Sequence, residues 1–265
     1  MPFKVASWNV NSIKIRAETV ANWLRDAQPD VVCLQELKCE DKVFPRTIFE
    51  DLGYNLSLNG QKTYNGVAIL SKWPISDTLC GLPSFADDEQ ARYIEGVIGL
   101  PDRAVRVASI YLPNGNPTDS PKFEYKLRWL AALRRHAAKL LSYEEPLVLA
   151  GDYNVIPADA DVYDPAAWVG DALFRPETRA RFRALAHLGF TDAVRATTDA
   201  PGLYSFWDYQ AGAWQRNMGL RIDHLMLSPQ AADRLVAAGI DKHVRAWDKP
   251  SDHVPVVAEL DFAPP

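Results

Sequence analysis

The chain has 265 residues, of which 48% are hydrophobic, so it can bury a large core and is too apolar for a disordered protein. Its formal net charge of -5 excludes a globally basic surface, and a polyanionic partner would need a local basic face or a bound metal ion. Three cysteines without a CxxC pair, no signal-peptide pattern and no long uncharged apolar stretch predict a cytoplasmic protein that does not contact membranes.

Short apolar runs alternate with amphipathic segments along the whole chain, a pattern typical of α/β proteins. In chain order, the expected elements are a strand over residues 3–9, a helix over 16–27, strands over 30–36, 65–72, 93–100 and 105–112, a helix over 120–141, a strand over 146–151, a helix over 176–188, and strands over 219–228 and 254–260. No low-complexity tract or long linker divides these elements, and we therefore expect one domain over residues 1–265.

The strand that begins at Pro146 ends abruptly in a glycine, a carboxylate and an amide. Gly151 allows a tight turn, and Asp152 and Asn154 are two residues apart, so their side chains can point the same way. A general base and an amide that positions water would then share one place. Asp and Asn are also common in ordinary turns after strands, and recurrence of the pattern elsewhere decides between the two interpretations.

The pattern does recur, because other expected strands also end in polar, oxygen-bearing residues. Together these residues are Asn9, Glu36, Tyr111, Asp152, Asn154, Asp223, Asp252 and His253. If the strands form two packed sheets, their ends can meet at one rim. Amide and carboxylate oxygens suit magnesium or manganese, and the absence of a Cys/His cluster argues against zinc. We expect Asn9 and Glu36 to bind the metal ion.

His253 would contact a phosphoryl oxygen, with Asp223 fixing the tautomer of its ring. An isolated His-Asp pair is more often structural, but the nearby Glu36 and Asp152 favour the functional interpretation.

Seven short motifs carry a resemblance to a known family. They are Trp8-Asn9-Val10-Asn11, Leu34-Gln35-Glu36, Asn65-Gly66-Val67-Ala68-Ile69-Leu70-Ser71, Tyr111-Leu112-Pro113-Asn114-Gly115, Gly151-Asp152-Tyr153-Asn154, Arg221-Ile222-Asp223 and Ser251-Asp252-His253. In this order they resemble the signature of the endonuclease/exonuclease/phosphatase superfamily and, within it, the exonuclease III family of apurinic/apyrimidinic endonucleases. The resemblance covers residues 3 to about 262.

The resemblance implies a four-layer α/β/β/α sandwich with two packed mixed β-sheets. It implies Mg²⁺-dependent hydrolysis, with Mn²⁺ as a substitute, of the phosphodiester 5′ to an abasic site in double-stranded DNA, together with 3′-to-5′ exonuclease activity and removal of blocked 3′ ends. A bacterial, cytoplasmic monomer that acts at the nucleoid is expected. The same resemblance implies a role for each residue of the site. Asn9 and Glu36 bind the metal ion and Asp252 supports them, while Asp152 activates a water molecule that Asn154 positions. Tyr111 and His253 stabilise the phosphorane, and Asp223 orients His253.

A flipped-out abasic sugar needs a small apolar pocket, and the residues assigned to the substrate site are Asn114, Phe206, Trp207, Leu220 and Ile222. Relatives close to the mammalian enzyme have Trp where this chain has Leu220. Phe206 and Trp207 could equally be core aromatics. Candidates for phosphate contacts are Arg92, Lys122, Arg216 and Arg221.

Two alternatives stay open: a phosphatase or phosphodiesterase of the same fold with a substrate other than DNA, and a regulator without catalysis.

Overall fold

The computed structural model describes residues 2–262. Within them the elements are β1 (Phe3–Asn9), α1 (Ile13–Ala27), β2 (Val31–Gln35), α2 (Arg46–Glu50), β3 (Asn55–Asn59), β4 (Val67–Ser71), β5 (Ile75–Cys80), β6 (Tyr93–Gly99), β7 (Ala104–Tyr111), α3 (Pro121–Leu141), β8 (Leu147–Asp152), α4 (Pro165–Trp168), α5 (Pro176–Ala186), β9 (Thr191–Asp192), α6 (Ala193–Thr197), β10 (Asp223–Leu227), α7 (Pro229–Ala232), β11 (Leu235–Ile240) and β12 (Val256–Leu260).

The strands form two six-stranded sheets. The first has the order β11-β12-β1-β2-β4-β3, and the second has the order β5-β6-β7-β8-β10-β9. Each sheet is mixed, because β1 and β2 run parallel in the first and β7 and β8 run parallel in the second, while their other neighbours are antiparallel.

Alternation of side chains along the strands builds the layers. In β1, Val5 packs between the two sheets, whereas Trp8 faces α1 and lies 5.6 Å from the ring of Trp23. In the second sheet, Leu149 faces the opposite way and joins a third core with Leu133 of α3. The layers are therefore helix, sheet, sheet and helix, and the prediction of a four-layer sandwich with two mixed sheets is confirmed.

Local sequence sets the ends of the long helices. In α3, the Ser120 hydroxyl accepts the backbone N–H of Lys122, and Pro121 occupies the first helical position, where a missing N–H costs nothing. The helix α1 begins three residues earlier than predicted, because the buried Ile13 extends its apolar face. No helix among the described residues is long and apolar enough to cross a membrane.

The sequence did not predict β3, β5, β9 and β11, and these are the four edge strands of the two sheets. An edge strand pairs on one side and tolerates polar, exposed residues, so β3, β5 and β9 lack a continuous apolar run, whereas β11 is apolar in sequence but partly or fully exposed along its length. The strand expected over 219–228 begins only at Asp223, because Leu220 pairs with Phe206 outside the sheets.

Candidate active site

Strands of both sheets deliver polar residues to one rim. In the first sheet, Asn9 ends β1 and Glu36 directly follows the parallel strand β2. In the second sheet, Asp152 lies level with Tyr111 of the parallel strand β7 and with Asp223 of the antiparallel strand β10. The registers of both sheets thus gather these five residues, as the strand-end pattern predicts.

The backbone turns sharply where strands leave this rim. Asn11, Glu36 and Asn154 have φ angles of 43°, 53° and 47°, in the left-handed region that residues other than glycine seldom occupy. Such conformations cluster at functional sites, where the surrounding structure holds them in place. Here they occur where the chain leaves β1, β2 and β8.

Asn9 connects the two carboxylates nearest to it. Its side-chain nitrogen donates to Glu36 Oε1 and to Asp152 Oδ2, both at 2.9 Å, and its Oδ1 accepts the backbone N–H of Asn11 at 3.0 Å. An amide nitrogen cannot bind a cation, so in this arrangement Asn9 holds the carboxylates together. Its role as a direct metal ligand stays a prediction.

The donor set next to Asn9 fits a hard divalent cation. Glu36, Asp152 and His253 bring two carboxylate oxygens and a ring nitrogen within 4.8 Å of one another, and the two carboxylates carry the negative charge that a cation needs. The Lys38 ammonium lies 2.8 Å from Glu36 Oε2, which shows that the position attracts positive charge. Burial opposes ionisation of Glu36, but Lys38 and the Asn9 amide outweigh it and hold its pKa below the ordinary value. The carboxylate oxygens could thus bind Mg²⁺ or Mn²⁺.

Asp252 lies at the edge of this group. Its Oδ1 accepts the side-chain nitrogen of Asn11 at 3.1 Å, and it lines the same cavity as Glu36 and Asp152. It therefore reaches the expected metal position through Asn11, consistent with a supporting role.

His253 forms a buried pair with Asp223, as predicted. Its Nδ1 lies 2.8 Å from Asp223 Oδ2, which also accepts the Ser205 hydroxyl at 2.6 Å. Burial lowers the pKa of His253, but the charges of Asp223 and Asp152 outweigh it and raise the pKa to about 10. At neutral pH the ring is therefore an imidazolium. Its Nε2 lies 3.7 Å from Asp152 Oδ2 and can donate a hydrogen bond to an anion in the cavity.

Asp152 and Tyr111 differ in the protonation state that their surroundings favour. Burial raises the pKa of Asp152 to about 7, with the negative charge of Asp223 adding to it and the His253 imidazolium opposing it. Burial and the carboxylates of Glu36 and Asp152 raise the pKa of Tyr111 well above its ordinary value. The phenol therefore stays protonated and can donate, whereas Asp152 can take a proton near neutral pH.

Asn154 is held close to Asp152. Its backbone N–H donates to Asp152 Oδ1 at 2.9 Å, its side-chain nitrogen donates to the Leu112 carbonyl at 2.9 Å, and its Oδ1 accepts the side chain of Asn114 at 3.2 Å. The two amides, from the loops after β7 and β8, thus form one polar edge of the site.

A cavity of about 280 Å³ opens beside these groups. Its polar wall carries Asp152 and His253, and its apolar wall includes Phe206, Leu220 and Ile222 together with Trp168 and Leu173. The Phe206 ring lies 4.9 Å from the His253 ring, centroid to centroid. The structure therefore places these three residues predicted for the substrate site around the same cavity as the candidate catalytic groups, with Phe206 in contact with His253.

A family model described as "Endonuclease/Exonuclease/phosphatase family" matches residues 6–253 of the chain. The chain belongs to the endonuclease/exonuclease/phosphatase family. The predicted resemblance is thus confirmed at the level of the family.

Three relatives show how far the likeness extends. The exodeoxyribonuclease III of Haemophilus influenzae is 34% identical over 97% of this chain and 99% of that protein. Among solved structures, the 3′-5′ exonuclease NExo from Neisseria meningitidis is 42% identical, with a TM-score of 0.93 over 98% of this chain and 100% of that one. An AP endonuclease from Archaeoglobus fulgidus is 36% identical, with a TM-score of 0.92 over 98% and 100% of the two chains.

Two residues that the sequence suggested for DNA contacts have other positions in this member of the family. Trp207 is fully buried and packs edge-on against Trp214 at 4.8 Å, in the core beside the first sheet and outside the cavity. Its assignment to the substrate site is therefore wrong, and the alternative of a core aromatic holds. Arg221 is also buried, and its guanidinium pairs with Asp161 at 2.7 Å and Asp192 at 2.6 Å. It cannot contact a phosphate.

The remaining basic candidates are accessible. Lys122 and Arg216 are exposed, and Arg92 is half-buried, with its guanidinium 4.7 Å from the centroid of the Tyr111 ring. Arg92 therefore contacts a residue of the candidate site, Tyr111.

Sequence reasoning did not assign Asn11 and Lys38 to the site, nor five residues that line the cavity: Asn116, Trp168, Asp171, Leu173 and Asp208. Asn11 and Lys38 each lie two positions beyond a predicted metal residue, the same spacing that joins Asp152 to Asn154, and this spacing was a usable signal. Lys38 Nζ donates to Asn11 Oδ1 at 2.5 Å. Trp168 lines the cavity from α4, and no motif marks it.

Proposed function

We propose that this member of the family is a DNA repair nuclease. It hydrolyses the phosphodiester 5′ to an abasic site in duplex DNA, trims 3′ ends in the 3′-to-5′ direction and removes blocking groups from them. One observation carries this proposal: Asp152, which can accept a proton near neutral pH, lies 3.7 Å from the protonated His253 and within the cluster that suits a divalent cation. The named activities of the relatives, an exodeoxyribonuclease, a 3′-5′ exonuclease and an AP endonuclease, support the substrate class.

In the mechanism, Asp152 takes the proton from a water molecule that Asn154 helps to position. The water oxygen attacks the phosphorus, and the bond from phosphorus to the leaving 3′ oxygen breaks. The imidazolium of His253, held by Asp223, donates to a non-bridging oxygen as negative charge develops there, and the Tyr111 phenol donates to another. Asp152 suits the role of base better than Tyr111, because the surroundings keep the phenol protonated.

Magnesium is the proposed metal ion, with manganese as a substitute, and it would be held by Glu36, which leaves Asp152 free to take the proton from water. When bound, the ion would neutralise negative charge on the phosphoryl group and on the leaving oxygen. Asn9 and Asp252 would support it by fixing the carboxylates and Asn11.

The apolar wall of the cavity supports recognition of a nucleotide that lacks its base. Phe206, Leu220 and Ile222 offer no donors or acceptors from their side chains, and the cavity of about 280 Å³ is small. Such a wall suits a bare sugar and disfavours a base, whose polar edge would lose its hydrogen bonds to water there. Asn114 at the polar edge is the proposed contact to the DNA backbone.

The test is cleavage of labelled duplexes by the purified protein. One duplex carries a single abasic analogue, a second has a recessed 3′ end, and a third has a 3′-phosphate, each with Mg²⁺, with Mn²⁺ and with EDTA. We expect metal-dependent incision 5′ to the lesion and metal-dependent shortening or cleaning of the 3′ ends. Failure of the folded protein to cut any of the three would refute the proposal and favour a substrate other than DNA.

A further inference from the structure

Lys126 is a lysine in an unusual place. It lies on the apolar face of α3, one turn before Leu130, and is fully buried, whereas Arg128 and Arg134 of the same helix are exposed. Lysine is almost never fully buried unless its amino group is paired. The hydrogen-bond partners of Lys126 among the described residues are two main-chain carbonyl oxygens.

Both carbonyls belong to residues of the active site. Lys126 Nζ donates to the Asn114 carbonyl at 3.0 Å and to the Asn154 carbonyl at 2.5 Å. Asn114 and Asn154 are also joined by their side chains, at 3.2 Å. The amino group thus ties the loop after β7 to the loop after β8, and it ties both loops to a helix of 21 residues.

The loops are shaped around this side chain. Asn154 has a left-handed backbone with φ of 47°. This conformation costs free energy, which contacts with neighbouring residues must offset. Gly115, with φ of 90°, lies so close to the Lys126 stem that a Cβ there would approach Lys126 Cδ to 2.6 Å. The stem supports one turn, and the amino group holds the carbonyl of the other.

We propose that Lys126 is a positioning residue, which sets the places of the Asn154 and Asn114 side chains by holding their main-chain carbonyls. It contacts neither the expected metal position nor the cavity, and it acts through the two asparagines. The inference rests on the proposed function in one respect, since Asn154 is taken to position the attacking water.

The first test compares Lys126→Met with Leu130→Ala. Methionine keeps an unbranched apolar stem and removes both hydrogen bonds, whereas the Leu130 variant weakens the packing of the same helix and removes no hydrogen bond to either loop. On the abasic duplex with Mg²⁺, we expect Lys126→Met to lower kcat by about tenfold or more, with KM changed much less, because misplaced catalytic groups affect the chemical step. Leu130→Ala should lower Tm and leave kcat unchanged.

A double-mutant cycle separates positioning from general destabilisation. If Lys126 acts through Asn154, then Lys126→Met should add little to the loss caused by Asn154→Ala, because residues that act as one unit are not additive. Losses that multiply in the double variant, or a Lys126→Met protein with wild-type kcat, would overturn the inference.

Hydrogen exchange gives a readout that does not depend on cleavage. Amides in residues 112–116 and 153–156 should exchange faster in Lys126→Met than in wild type and in Leu130→Ala, and equal exchange in all three would also overturn the inference. If wild type cuts no duplex while these amides respond as expected, the proposed function fails and the positioning role stands.

Should the methionine variant not fold, Lys126→Gln replaces it in the same measurements. Its shorter neutral side chain cannot hold both carbonyls, so the same outcomes are expected.

Discussion

The Nε2 atom of His253, in the loop before β12, lies 3.7 Å from Oδ2 of Asp152, at the end of β8. The loop that carries His253 leads into a strand of the first sheet, and Asp152 ends a strand of the second sheet. The packing of the two sheets therefore places an acid beside a base. The imidazolium lowers the pKa of Asp152, burial raises it, and the net value of about 7 keeps Asp152 able to exchange a proton near neutral pH.

Asp152→Asn should abolish most of the cleavage and leave the fold intact. Asparagine has nearly the same shape but cannot accept a proton from water, so we expect kcat to fall by between about 10² and 10⁴. Affinity for uncut DNA should persist, and Tm should not fall, because the substitution removes a buried negative charge. Single-turnover cleavage and a binding titration in EDTA measure the two properties. Cleavage by the variant at the wild-type rate would contradict the assignment of Asp152 as the base.

The ionisation of His253 should make the stability of the metal-free protein depend on pH. Its pKa in the folded state is about 10, against an ordinary value of 6.5, because the carboxylates of Asp223 and Asp152 outweigh burial. The folded state therefore binds this proton more tightly. The resulting stabilisation is complete below pH 6.5 and is lost as the pH rises towards 10, by at most about 1.4 kcal/mol per pH unit.

Denaturant unfolding in EDTA across that pH range measures this loss, with His253→Gln as the control. The variant cannot bind the proton, so its free energy of unfolding should fall less steeply than that of the wild type. Parallel curves for the two proteins would show that His253 is not protonated in the folded state at neutral pH.

The part of the site that the sequence revealed lies at the ends of central strands. Asn9, Glu36 and Asp152 each follow a continuous buried run, so the position where the strand ends is visible, and two packed sheets then bring these ends together. The central strands and the long helix α3 were predicted for the same reason, because full burial leaves a strong pattern of apolar residues.

The part that the sequence did not reveal depends on contacts between distant residues. The edge strands β3, β5 and β9 contain polar residues, and the apolar segment of β11 is recognisable as a strand only from its pairing with β12. The local sequence also does not show whether a basic residue is buried. Arg221 pairs with Asp161, which is 60 positions away in the sequence, and with Asp192, which is 29 positions away. Lys126 did leave a signal, a lysine within the apolar stripe of α3, and its partners were unknown until the loops were in place.

Glu36→Gln should mainly raise the metal requirement. The substitution removes one of the two carboxylates at the expected metal position and keeps the shape of the side chain. We expect the Mg²⁺ concentration for half-maximal cleavage to rise by about tenfold or more, with partial recovery of the rate at high Mg²⁺. Glu40→Gln, which makes the same charge change at a residue paired with Lys42, is the control and should leave the requirement unchanged. A variant of Glu36 with the wild-type Mg²⁺ dependence would place the metal ion elsewhere.

Loss of the charge of Arg92 should weaken DNA binding, whereas loss of the charge of Arg221 should lower the stability of the fold. Arg92→Ala removes an accessible cation beside Tyr111, so we expect weaker binding of duplex DNA in EDTA and a salt dependence, log Kd against log salt, that is less steep by about one. Arg221→Met leaves Asp192 without its guanidinium partner and Asp161 with Arg195 alone, and its free energy of unfolding should fall by about 3 to 5 kcal/mol while the salt dependence stays that of the wild type. Both variants lose one positive charge, so each is the control for the other. A stable Arg221 variant with a reduced salt dependence would mean that this guanidinium reaches DNA after all, and that the buried pairs open when DNA binds.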